Sequence, residues 1–215
     1  MKKKIQKAPY LLLLLVFPVL ASLYSFLNDR SHKAFDISTS VDEVIPFMSV
    51  FIIPYILWYV YMFLFLVYLW FKNTKVYVKT IFMIVIGELI CFIIYFYFQT
   101  TVSRPDIQGD SPLTVLVQWI YKNDRPYNCF PSIHVLTTFA VMLASLHIKN
   151  KHLLTNICIH VLGTLIIIST LFVKQHVILD MVGSMFLVTF LYGITFELLI
   201  FRLGEKPVQV PLKNK

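Results

Sequence analysis

The chain has 215 residues, of which 58% are hydrophobic and 14% charged, and its formal net charge is +8. A soluble globular domain carries charge on about a quarter of its residues, so the composition excludes an ordinary water-soluble domain. The surplus of Lys and Arg reads as membrane orientation rather than as a nucleic-acid surface, because it gathers at the ends of apolar runs.

A helix of about 20 apolar residues spans a bilayer. Six such runs are expected near residues 8–28, 46–71, 77–99, 133–148, 153–173 and 177–201, the second long and the fourth short. Segments of alternating polarity that would form a membrane barrel are absent, which leaves a helical bundle as the form that satisfies its own backbone. The expected fold is therefore all-α, a polytopic membrane bundle of about six transmembrane helices in a single domain over 1–215, without internal repeats.

In chain order, MKKKIQKAPYLLLLLVFPVLA at the start has the form of a signal peptide. The apolar run continues through Leu20, Leu23, Tyr24, Phe26 and Leu27 and more spans follow, so an uncleaved first span is expected. A polar, acidic loop over about 29–45 comes next. The second and third spans are joined by a short basic connection at about 72–76. Glu88 lies deep in the third span, where a carboxylate is a functional candidate by default; a substrate hydroxyl, Asn156 or His160 are its candidate partners.

Residues 100–132 form the longest irregular stretch. It holds SRPD at 103–106 and SPLTVLVQWIYK at 111–122, where Leu113, Val115, Leu116, Trp119 and Ile120 recur at helical spacing. An interfacial amphipathic helix and plain loop packing both account for that pattern. NCFPSIHV, 128–135, opens the fourth span, a short basic connection at 149–152 follows it, and STLFVKQHVILD, 169–180, covers the turn between the fifth and sixth. Glu197 sits late in the sixth span, and a polar tail runs from about 202 to 215. His147, His152 and His160 read as interface or packing residues. Cys91 and Cys158 fall within spans and Cys129 beside the NCFPSIHV motif; no disulfide framework and no zinc spacing are present.

With the N-terminus inside, 13 of the 19 Lys and Arg residues fall on cytoplasmic segments and six (Arg30, Lys33, Arg104, Lys122, Arg125 and Lys174) on the other side. Both termini are then cytoplasmic, and SRPD, FPSIH and the 169–180 turn all lie on the outer face of a multi-pass protein, with the plasma membrane as its expected location.

His176 and Asp180 are four apart, a spacing that shares one helix face. A carboxylate on one imidazole nitrogen fixes the tautomer and leaves the other as base or nucleophile; a structural hydrogen bond at a helix end is the plain alternative. Pro131 and Ser132 have the chemistry of a helix entrance and its cap, and such an N-terminus attracts anions, with His134 in its first turn. Arg104 offers a planar fork for phosphate oxygens, or a snorkelling side chain. Together these groups point to phosphoryl transfer in which one histidine attacks phosphorus and the other protonates the leaving oxygen, with no metal or other cofactor called for.

The ordered set RP … FPSIH … S(x6)HxxxD resembles the type 2 phosphatidic acid phosphatase superfamily of membrane lipid phosphatases and phosphotransferases, over about residues 76–195. The resemblance implies His176 as nucleophile, Asp180 as its orienting partner and His134 as general acid, with Arg104, Ser132 and Ser169 around the phosphate. Two cations of the family pattern are replaced, by Tyr97 and Thr170, and Lys174 is a candidate substitute if its turn is irregular. TLFVKQHVILD looks more like the branch of inositol phosphoceramide and sphingomyelin synthases, which pass a phospho-headgroup to another hydroxyl. The implied substrate is a phospholipid or polyprenyl phosphate. A lipid phosphatase, a headgroup phosphotransferase and a non-catalytic lipid-phosphate binding or transport protein are the readings in play; the oligomeric state is not encoded legibly.

Overall fold

An apolar run in hydrocarbon must close its own backbone hydrogen bonds. The computed structural model describes residues 7–29 and 33–198, and eight helices carry nearly all of the regular structure there. They are α1 (Ala8–Asp29), α2 (Ser40–Val44), α3 (Ser49–Lys72), α4 (Thr74–Tyr97), α5 (Pro112–Asn123), α6 (Ile133–Ser145), α7 (Leu153–Phe172) and α8 (Ile178–Leu198). Five of them, α1, α3, α4, α7 and α8, are long and apolar enough to cross a membrane. The fold is the all-α bundle expected of a multi-pass membrane protein. The expected tail over 202–215 lies outside the described residues.

Local chemistry sets several helix ends. Asn73 Oδ1 accepts the N–H groups of Lys75 and Val76 at 3.1 and 3.3 Å and starts α4. Ser111 Oγ accepts from Thr114 N at 3.2 Å with Pro112 next to it, and so starts α5. The 111–122 segment is thus a helix; it buries Val117 and Ile120 against Ile52, Tyr55 and Val173 and leaves Trp119 exposed.

The fourth expected span is corrected to a helix of 13 residues, with turns continuing to Ile148. At 1.5 Å per residue it covers about 20 Å, short of the ~30 Å hydrocarbon core. The shortness goes with its place. Helix α6 is the central post, packed on α3, α4, α7 and α8, and none of its residues is exposed. Its Val135, Leu136, Ala140, Val141 and Ala144 are fully buried, and the polar Thr137, Thr138 and Ser145 are buried beside them.

Successive long helices and α6 alternate in direction. One end of the bundle therefore gathers the C-termini of α1, α4 and α7 and the N-termini of α3, α6 and α8. A two-residue parallel pairing, Phe35–Asp36 (β1) with Thr100–Thr101 (β2), ties the segments that follow α1 and α4. At the opposite end His147 Nε2 meets Tyr192 Oη at 2.7 Å, His152 Nδ1 accepts from Leu154 N at 3.3 Å, and His160 lies 3.5 Å from Ser145 Oγ. These three histidines are packing and capping residues.

Asp42 in α2 fastens the motif-bearing end. Its Oδ1 accepts from Ile178 N at 2.8 Å, the first N–H of α8. Its Oδ2 accepts from Thr39 N and Oγ1 at 2.8 and 2.7 Å. Burial pushes this carboxyl up, but the bonds from Ile178 and Thr39 and the charge of Lys174 outweigh it and hold it below the ordinary aspartate value. A carboxyl depressed in the folded state stabilises fully above its unfolded pKa, and that contribution fades as pH falls through the folded value. Asp42→Ala should lower the thermal midpoint in detergent at pH 7, with three donors left unmatched at ~1–3 kcal/mol for a buried one, and the gap from wild type should narrow in acid. Equal midpoints at pH 7 would contradict the tie.

Candidate active site

Helix α8 starts at Ile178, and Asp180 occupies its third position, fully buried. Asp180 Oδ2 accepts from Val177 N at 2.9 Å, which caps the helix. The same oxygen lies 3.2 Å from His176 Nδ1, and the Cys129 carbonyl lies 3.1 Å from that nitrogen. Both neighbours are acceptors, so Nδ1 carries the proton and Nε2 keeps its lone pair. The expected sharing of one helix face is corrected: His176 precedes the helix, and the pair spans the helix N-terminus. The turn before it is irregular. Gln175 N and His176 N both donate to Thr170 O, at 3.0 and 3.1 Å, and Lys174 is left-handed at φ 52°.

The second motif docks on the same aspartate. Ser132 N donates to the Asp180 carbonyl at 3.4 Å, and Ser184 Oγ donates to the Ser132 carbonyl at 2.9 Å. Ser132 Oγ accepts from Val135 N at 3.4 Å as the cap of α6. Tyr95 Oη donates to Pro131 O. Behind the motif the Phe130 ring fills the space over Gly183, where a Cβ would collide with it. His134, in the first turn of α6, stacks on Tyr55 and meets the tilted ring of Trp58, with ring centres 4.6 and 4.4 Å away. Its ring centre is 6.0 Å from that of His176, and its Nε2 is buried with no partner.

Both histidines line a cavity of about 930 Å³ between α1, α3, α4 and α6. Asn28, Asp124 and Asn128 share the histidine end. Farther along α1 and α3 the wall is Leu14, Phe17, Met62 and Leu66, with Glu88 on α4. The cavity is thus polar at one end and mostly apolar along its length.

Arg104 lies beside this end, outside the cavity wall. Its guanidinium sits over the Tyr121 ring at 4.5 Å. Nη1 donates to the Asp124 carbonyl at 2.7 Å and Nη2 to Gln175 Oε1, while Nε is buried with no partner. Ser169 and Lys174 are not brought to the cavity. Ser169 Oγ donates to Ile166 O at 2.6 Å within its own helix. Lys174 Nζ donates to the Asp42 and Ile45 carbonyls at 2.8 and 2.5 Å and so caps α2. Neither family cation is replaced in place: Tyr97 is exposed, and Thr170 Oγ1 donates to Ile167 O at 2.7 Å.

Sequence reading missed two amides. Gln99 donates to Asn128 Oδ1 at 3.0 Å and Arg104 to Gln175 Oε1, so each amide keeps its NH₂ end buried and unmatched, Nδ2 of Asn128 and Nε2 of Gln175. It also missed Asp124, whose Oδ1 accepts from Tyr24 Oη at 2.9 Å and Asn28 Nδ2 at 3.0 Å. Desolvation raises the Asp124 carboxyl above its ordinary value, against the opposing effects of Tyr24, Arg104, His176 and Asn28. Lone amides carry no spacing signal, and Asn28 and Asp124 are far apart in the chain. A third group also joins His176 and Asp180: ligand atoms of Cys129, His176 and Asp180 lie within 4.8 Å of one another. Burial raises the Cys129 thiol well above its ordinary value, which keeps it protonated, and a thiol is a poor metal ligand next to a thiolate.

The model of one protein family, described as the PAP2 superfamily, matches residues 76–204, from the start of α4 onward. No curated protein and no solved structure matches the chain.

Gly183→Ala should displace Phe130 and, through it, the 131–134 turn. The expected cost is that of overpacking, ~1–3 kcal/mol, read as a lower thermal midpoint. An unchanged midpoint would mean that the ring yields freely.

Proposed function

The chain belongs to the PAP2 superfamily, and on that premise we propose that it is a membrane lipid phosphatase working through a phosphohistidine. Members of that superfamily are phosphoric-ester hydrolases or phosphotransferases. The observation that carries the reading is the protonated Nδ1 of His176, held between Asp180 and the Cys129 carbonyl, with His134 across the polar end of an otherwise apolar cavity. A phosphate headgroup fits the polar end, and hydrocarbon chains fit the length.

In this mechanism His176 Nε2 attacks phosphorus, the P–N bond forms and the P–O bond to the lipid alcohol breaks. His134 gives its proton to the departing oxygen. A water then attacks phosphorus, His134 takes its proton, and the P–N bond breaks to release phosphate. Asp180 stabilises the imidazolium character of His176 without taking the proton. Ser132 holds the entrance of α6, whose N-terminus faces negative charge favourably. The unmatched Nδ2 of Asn128 on the cavity wall is suited to a phosphate oxygen, and the unmatched N–H groups of Arg104 and Gln175, outside the wall, would have to turn inward to stand in for the two missing cations.

Transfer of the phospho-headgroup to an alcohol, as in the synthase-like branch, is the second reading; the hydrogen-bonded Asp124, which shares the cavity with both histidines, favours it as a holder of a hydroxyl. The surplus of basic residues on the opposite side supports an outer-face site with cytoplasmic termini.

Purified protein in detergent, with a chelator present, should turn over a lipid phosphate. Trapping with labelled substrate should place phosphate on His176, and His176→Ala should lose at least ~10³-fold in kcat. Asp180→Asn should lose ~10²–10⁴-fold, through the wrong tautomer. Full turnover by His176→Ala would end the nucleophile assignment. Lipid product without free phosphate, in the presence of an alcohol acceptor, would select the transferase. Bound lipid with no turnover in wild type would leave a lipid-phosphate binding protein.

A further inference from the structure

The polar end of the cavity has two chemically opposite sides. On one, the unmatched Nδ2 of Asn128 is a donor, while the unmatched groups of Arg104 and Gln175 lie outside the wall. On the other, the groups are acceptors. Tyr24 Oη and Asn28 Nδ2 both turn their hydrogens onto Asp124 Oδ1. That leaves Asn28 Oδ1 as an acceptor without a partner in a residue only 6% exposed. Asn28 and Asp124 line the same cavity as His134 and His176.

An unmatched buried acceptor costs ~1–3 kcal/mol until a donor arrives. A phosphate oxygen brings none and is repelled by Asp124. Lys122 and Arg125 line the same wall, which makes a cation a poorer guest than a neutral group. The matching chemistry is a hydroxyl.

We propose that Asn28 and Asp124 form a headgroup subsite that takes a neutral hydroxyl carried near the phosphate ester. This rests on the phosphate-site reading above. It adds a preference for hydroxyl-bearing headgroups, supplied by α1 and by the α5–α6 loop. Helix α1 lies outside the matched residues 76–204 and Asp124 inside them, so the Asn28 half of the subsite is built from a part of the chain that the family match does not cover.

The test is binding of two soluble esters of the same length to the full chain in detergent, by calorimetry. Glycerol 3-phosphate carries two hydroxyls that propyl phosphate lacks. Wild type should bind the first about tenfold or more tightly, each tenfold corresponding to ~1.4 kcal/mol. Asn28→Leu and Asp124→Asn should bring the two esters toward parity, with propyl phosphate bound as before by Asn28→Leu and more tightly by Asp124→Asn, which removes a repelling charge. If Asn28→Leu fails to fold, Asn28→Ser carries the same comparison. Equal binding of both esters by wild type overturns the subsite and leaves the phosphatase reading standing. Tighter binding of phosphoethanolamine than of glycerol 3-phosphate overturns it in favour of a cation site. Binding of neither ester, while lipid phosphate is turned over, also overturns it; binding of neither with no turnover overturns the phosphate site as well.

Discussion

One buried carboxylate ties together the end of the bundle that gathers the two histidine motifs. Asp180 caps α8 through Val177 N, orients the His176 ring, and receives Ser132 N on its own carbonyl. Its Oδ2 joins a helix N-terminus to a histidine, and its backbone carbonyl adds the entrance of a second helix. The two histidine motifs, more than 40 residues apart in the chain, are positioned by this shared anchor rather than by any contact between their imidazoles.

The bundle as a class was legible because apolar runs of membrane length leave a helix as their only solution. So was the grouping of three motifs at one end, since alternating spans put every second turn on the same side. Less visible was what each polar side chain does once there. Hydroxyls in helices bond back to their own carbonyls, and Ser169 and Thr170 both do so. A lysine reaches whatever carbonyls are near, and Lys174 found those of α2. The i, i+4 spacing of His176 and Asp180 gave the right partners for a partly wrong reason, because the helix starts between them. Asn28, the loop pair Asp124 and Asn128, and Gln175 come from three segments with no pattern linking them, and only the folded chain brings Asn28, Asp124 and Asn128 to one end of a cavity.

The cavity connects two environments within a few side chains. Leu14, Phe17, Met62 and Leu66 offer the solvent properties of lipid, and the histidine end offers hydrogen bonds. A molecule that is amphipathic matches both at once. Glu88, on the wall amid the apolar residues, marks a place along α4 where an all-hydrocarbon chain leaves a polar side chain without a partner.

Helix α6 shows no exposed residue, and five longer helices stand around the bundle that contains it. A span that touches lipid must answer to bilayer thickness by tilting or stretching its surroundings. A post shielded on every side has no such obligation. Thickening or thinning of the membrane acts first on the outer helices, and the α6 entrance, with His134 on it, moves only as far as its protein neighbours carry it. The short central helix thereby separates the depth of His134 from the mechanical state of the membrane.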